Sequence, residues 1–314
     1  MRLSEAETLH TLVLYALPPL VAWFGFGVPG AVLATLLVAA AGVVVRLRGL
    51  MAPADPDLVE FHTITYSHYV EKVRWCLDAT GIEYREVPSI GILGLLLTAR
   101  TVPLLVLPAS RTSVGDSPRI LRFLWGAYSA QLPPGRCRFL EPTPEGLALE
   151  KHFDHDLGVN VRLWSYWHLL QQPDLTLLMW GLREPTIPKW QRTILPALFP
   201  LLAAMVRRML GVTEPRAAAA LAATKQVFAE VDARLADGRR YLMGGDEMTF
   251  VDITFASLAA LALFPDGYGG RAVSVRSAPL AEMAPAWRSE IEALRETPAG
   301  KFVERLYREE RLKR

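Results

Sequence analysis

Cysteine is nearly absent from this 314-residue chain, which has only Cys76 and Cys137. Two thiols so far apart in sequence make no disulfide framework and fit a reducing compartment. No Cys/His spacing resembles a zinc site, so no metal is expected. A charge excess is missing too. The 34 Lys and Arg are matched by 32 Asp and Glu, so no global basic field recruits nucleic acid. Charge is also missing locally, because residues 8–45 contain no Asp, Glu, Lys or Arg and a single histidine, His10.

That run is too long for a signal-peptide core, and MRLSEAE before it is a poor basic leader. A membrane-crossing helix needs about 20 apolar residues. The break GFGVPG divides the run into two pieces near that limit, so the pattern predicts a transmembrane helical hairpin, about 8–24 and 30–45, within an anchor of residues 1–50. Arg46 and Arg48 follow it and place the remaining chain on the cytoplasmic side. The alternative is a buried helical hairpin in a soluble fold. MAPADPD, residues 51–57, is the expected linker.

The next segment, 58–128, changes period several times. LVEFHTIT is a β-prone run. From His68 onward Val70, Val73, Cys76 and Leu77 share a helical face, with Glu71, Lys72, Arg74 and Asp78 opposite and Gly81 as terminator. IEYREVPS alternates as a second strand, SIGILGLLLTAR (89–100) is an apolar helix, and TVPLLVLP and RTSVGD are two further strands. SPRILRFLWGAY is a helix capped by Ser117, with Pro118 at its first position. LPPGRCRFLEPTPEG lies within a connector, 129–144, and residues 145–314 are helical in pattern. Thr249 and Asp252 stand three apart before the apolar stretch FVDITFASLAALALF, a capping-box spacing that makes Asp252 structural.

TVPLL followed, after one hairpin, by GDSPRILRFL resembles the thioredoxin-like domain of glutathione transferases, over residues 58 to about 126. GGDEMTFVD resembles the buried cap in the helical domain of the same family. The resemblance implies an α+β thioredoxin-like domain followed by an all-α helical domain. It also implies a cis Pro103, with the Val102 backbone and the Asp116-Ser117 pair holding glutathione or another low-molecular-weight thiol. Ser67 stands where serine-type members place the group that meets the thiol. By the same resemblance, Tyr69, Arg162 and Tyr166, with Trp164 or Trp167, line the pocket of a hydrophobic electrophile, the alternative being aromatic core packing plus one inter-helix ion pair, and a homodimer is the implied assembly. His68 and Tyr69 depart from the small or Pro residues common in that loop, and His152, His155 and Asp156 are at helical spacing on an ordinary solvated face. The basic end KFVERLYREERLKR is an amphipathic last helix. Two readings stay open: an enzyme that activates a thiol at Ser67, or a non-catalytic membrane-anchored scaffold in which Ser67 only caps a helix.

Overall fold

A computed structural model describes residues 27–40, 58–90, 102–108, 110, 112–270 and 280–311. The first helix of the expected hairpin, the 51–57 linker, the apolar segment from 91 to 101 and residues 312–314 lie outside the described residues. From the second hairpin helix the described part is α1, Gly27–Ala40. Its Val28, Val32, Leu33, Leu36 and Leu37 are all exposed. At 14 residues it is shorter than a membrane span.

The thioredoxin-like part starts with β1, Val59–Ile64, which alternates between buried and half-buried positions. Strands β2 (Tyr84–Ser89), β3 (Leu104–Leu107) and β4 (Thr112–Gly115) complete a sheet of order β2-β1-β3-β4. β1 is parallel to β2, with Phe61 opposite Glu86, and antiparallel to β3, with Phe61 opposite Leu105. Helix α2, His68–Thr80, makes the crossover from β1 to β2 and stops at Gly81, which takes the left-handed conformation (φ 73°). Helix α3, Ser117–Tyr128, follows β4. The Val102–Pro103 peptide before β3 is cis.

A rod of three segments opens the helical part: α4 (Pro144–His152), a π-helical stretch Phe153–Gly158, and α5 (Val159–Leu169). Then come α6 (Pro173–Met179), α7 (Lys189–Leu210), α8 (Glu214–Leu235), α9 (Phe250–Leu263), α10 (Pro285–Glu296) and α11 (Pro298–Leu306). A π turn, Tyr307–Arg311, ends the described chain. Every residue of α9 is buried. Thr249 and Asp252 form the expected capping box at its start. One large core runs through both parts, while a second cluster collects Ile90, Trp180, Leu195, Phe199, Leu202 and Val206 around α7.

The charged face of α2 is not turned to solvent. Glu71, Lys72 and Arg74 are fully buried; α9 and α3 pack against α2, and the α4 rod reaches Lys72 through Glu150 and Asp154. Their charges are paired instead. Lys72 Nζ meets Glu150 at 2.9 Å and Asp154 at 3.1 Å, and Arg74 meets Glu71 at 2.9 Å and Glu86 at 2.6 Å. At the chain end the expected amphipathic helix is present, with Lys301 and Arg308 exposed, but one of its basic residues is not on the open face. Arg311 is buried, with its guanidinium 2.9 Å from Glu71 and 2.6 Å from Asp78. A buried charge persists only when partnered in this way.

Candidate functional site

Three chain segments meet at a cleft: the turn from β1 into α2, the cis-proline loop before β3, and the N-terminus of α3. The α4–α5 rod forms the opposite wall. A cavity of about 660 Å³ is lined by Tyr69, Val102, Pro103, Asp116, Ser117 and Arg162, among others. A smaller one of about 140 Å³ contains Ser67, Tyr166 and Met209 in its wall. Tyr69, Val102 and Arg162 line both, so the two cavities are neighbours.

Ser67 precedes α2 in extended conformation (φ −131°, ψ 117°), and its Oγ accepts a hydrogen bond from the Val70 N–H at 3.4 Å. It is therefore an N-cap. Accepting one bond leaves the hydroxyl hydrogen available, and no acceptor takes it among the described residues. Tyr69 is not a second such donor. Its hydroxyl already donates to the Asp154 carbonyl at 3.0 Å, and burial pushes the phenol up to about 12. Tyr66 stacks on Tyr268 with ring centroids 4.9 Å apart. Thr63 is buried and donates to Glu86 at 2.7 Å. Cys76 is fully buried, and burial pushes its thiol up.

The entry to α3 differs from the expected serine cap. The capping position is Asp116, whose side chain makes no capping bond, and Ser117 is the first helical residue. Ser117 is 1% exposed and its hydroxyl has no partner. Asp116 adopts φ 74°, ψ 125°, a region that L-residues avoid. An uncapped helix N-terminus carries partial positive charge and unpaired N–H groups, which suit a carboxylate. The exposed Asp116 carboxylate beside it suits an ammonium group. Together they match the two charges of an α-amino acid end.

His68 and Tyr69 use the π stretch in a way that sequence reasoning missed. A π turn withdraws carbonyls from the regular helical ladder. Tyr69 bonds one of them, at Asp154, and His68 Nε2 bonds another, at Gly158, at 2.9 Å. A β-carbon at Gly158 would come within 2.6 Å of the Tyr69 hydroxyl, so only glycine fits. The departures at 68 and 69 thus latch the Ser67 loop to the helical part. The available signals were Gly158 in the middle of a helical pattern and two hydrogen-bonding rings directly after a cap.

Burial, with help from Arg162 and against the bond to Gly158, lowers His68 to about 3 from an unfolded value of 6.5. A base that is harder to protonate when folded contributes stability that is intact above pH 6.5 and is lost as pH falls from 6.5 towards 3. The expected loss from this one group at pH 5 is about 2 kcal/mol. Urea unfolding at pH 7.5 and pH 5 reads it. The His68→Gln variant is expected to lose that much less between the two pH values than the parent chain. An unchanged difference would mean His68 is not buried neutral.

Arg162 has no ion pair among the described residues. Its guanidinium lies 6.0 Å from the Tyr69 ring centroid, and it lines both cavities. Tyr166, one turn later, lines the smaller cavity, whereas Trp164 is buried in the core. His152 bridges Asp156 (2.9 Å) and Glu230 (2.8 Å), and His155 is at the rim of the larger cavity. No group able to hold a metal ion occurs among the described residues. Val102 and Pro103 are in place beside the α3 terminus, while Thr249 and Asp252 cap α9 and line neither cavity.

Residues 61–132 match the family model for the N-terminal domain of glutathione S-transferases. No curated protein sequence matches the chain. Among solved structures, a glutathione S-transferase of Ceriporiopsis subvermispora in complex with glutathione is 17% identical, with a TM-score of 0.51. That match covers 79% of this chain and 95% of the other. Glutathione transferase GSTFuA2 from Phanerochaete chrysosporium is 18% identical, with a TM-score of 0.50, covering 81% and 98%. At these identities the likeness establishes architecture alone. The chain has the fold of glutathione transferases, a thioredoxin-like domain matched by that family's N-terminal model, followed by a helical domain.

Proposed function

We propose that the protein is a glutathione-transferase-like enzyme that binds glutathione or a similar small thiol in the larger cavity and directs its sulfur at a hydrophobic electrophile in the smaller one. The observation that carries this reading is the Ser117 hydroxyl, buried without a partner in the first turn of α3, whose N-terminus has no side-chain cap and borders the larger cavity. A buried hydroxyl left unsatisfied costs about 1–3 kcal/mol, which a bound carboxylate recovers. The Val102 backbone and Pro103 hold the peptide part of the thiol, and Asp116 and Ser117 its amino-acid end.

Ser67 donates its free hydrogen to the sulfur while keeping its bond from Val70. With the start of α2 behind it, this hydrogen bond favours the thiolate over the thiol. The thiolate attacks an electrophilic carbon held against Tyr69, Arg162 and Tyr166, with proximity supplying much of the rate. Residues 8–45 anchor the enzyme in the membrane with its catalytic part facing the cytoplasm, which suits a lipophilic substrate. A homodimer is part of the same proposal.

One observation favours a non-catalytic binding protein of the same fold, namely that Ser67 is already used as a cap. Calorimetric titration of the full chain in detergent with glutathione, mycothiol and bacillithiol separates the two. The enzyme reading expects saturable binding of one thiol with a lowered thiol pKa. Ser67→Ala is then expected to restore that pKa and slow conjugation about 100-fold, as loss of one anion-stabilising donor does. Absence of binding for every thiol, with Ser67→Ala changing only the melting temperature, leaves the scaffold.

A further inference from the structure

Helix α7 has the wrong residues for its position. One face, with Leu195, Phe199, Leu202 and Val206, is buried in the second core. A helix on the surface of a soluble part should then be polar on its open face. Here the open face carries Trp190, Pro196, Ala197, Pro200, Leu201 and Ala204, and no charged residue occurs from Thr193 to Val206. Trp190 is 42%, Leu201 60% and Met209 63% exposed. Cations stand only at the ends, Lys189 and Arg192 at one, Arg207 and Arg208 at the other, and the helix contains no acidic residue. Lys189, Arg207 and Arg208 have no ion pair among the described residues.

We propose that α7 docks on an anionic lipid surface, with its open apolar face in the interfacial region and its terminal cations among the headgroups. A central apolar stretch, basic ends and an exposed tryptophan are the features of a helix that lies in the membrane plane. The helix is long and apolar enough to cross a bilayer, since 22 residues extend about 33 Å. It does not leave the protein to do so, because its other face belongs to the second core, whose exposure would cost several buried side chains. A second copy of the chain is a poor occupant. Both ends of the helix are cationic, so parallel and antiparallel pairing alike set cation against cation.

This surface is continuous with the site. Val206, Met209 and Leu210 line the smaller cavity that contains Ser67, and Met209 is also part of the exposed face. A docked α7 opens that cavity beside the lipid. The docking itself does not depend on the catalytic reading.

The test uses the full chain with an environment-sensitive fluorophore at Leu201→Cys, and separately at Ala293→Cys, an exposed position on α10. The natural Cys76 and Cys137 are buried, so labelling is selective. Because the proposed anchor at residues 8–45 also holds the chain on vesicles, the readout is depth at each position and not co-sedimentation. In vesicles of phosphatidylcholine with phosphatidylglycerol, the label at 201 is expected to shift to the blue and be quenched by doxyl-labelled lipid, while that at 293 is not. Arg207→Ser with Arg208→Ser is expected to weaken the docked state at 201 about 30-fold, ~5-fold per cation. Vesicles of phosphatidylcholine alone, without the anionic lipid, are expected to give weaker quenching. The proposal fails if the label at 201 stays in water on vesicle-bound chains. It also fails if that label is shielded without vesicles while sedimentation velocity reports a dimer.

Discussion

The Asp252→Ala chain is expected to lose about 4 kcal/mol of stability, a large part of the margin of an ordinary domain. Asp252 is fully buried, and its carboxylate accepts three bonds: from the Leu242 N–H at 2.7 Å, the Thr249 N–H at 2.8 Å and the Thr249 hydroxyl at 2.9 Å. Alanine leaves the buried Leu242 N–H with nothing to bond, at about 1–3 kcal/mol, and takes the acceptor from the half-buried Thr249 N–H and hydroxyl at a smaller cost each. The damage is placed badly for the fold, since α9 runs through the middle of the core and begins at this cap. Asn keeps one acceptor oxygen, so Asp252→Asn is expected to lose roughly half as much. Urea titration followed by circular dichroism measures both. A native midpoint for the alanine variant would remove the cap from any role in stability.

The second large effect is expected at Arg311→Met, at about 3 kcal/mol. The substitution preserves much of the side-chain volume but removes the charge between Glu71 and Asp78. Glu71 then keeps only Arg74, 2.9 Å away, which already serves Glu86. The site is also shaped around the guanidinium: it lies 5.5 Å from the centre of the Trp75 ring, and Gly270 packs so close that a β-carbon there would collide with it. Adding Glu71→Gln should recover part of the loss, because the orphaned charge is then gone. Full additivity of the two substitutions would show that the pair does not interact.

How much of this was legible in the sequence depends on the range of the interaction concerned. The four strands, the helices at either end of that order, Gly81 as terminator and the Thr249–Asp252 box are local patterns, and the structure has them, while the expected helix at 89–100 lies outside the described residues. The cis Val102–Pro103 peptide came from the resemblance and is present. Where partners come from far along the chain, the pattern misled. Periodicity sets Glu71, Lys72 and Arg74 opposite the apolar face but cannot see Glu150, Asp154 or Arg311 arriving to pair with them. Ser117 reads as a cap, yet the chain enters α3 with Asp116 at positive φ, which moves the serine one position into the helix. The π stretch has no sequence periodicity of its own, so the latch of His68 and Tyr69 onto it was hidden. The apolar open face of α7 is likewise indistinguishable, by composition, from a core helix.

Proteins are made from the first residue to the last, and the position of Arg311 gives that order a consequence. The Glu71 and Asp78 carboxylates belong to the helix that begins beside Ser67, but the cation that completes their pairing is some 240 residues away in the chain. On the ribosome, the thioredoxin-like part emerges early, and the charged face of α2 stays uncovered with its ion cluster incomplete until the helical part has been synthesised and wrapped back over it. Chains cut short before residue 311 should therefore be recognisable to a cell's quality control, with the defect appearing in the domain synthesised first.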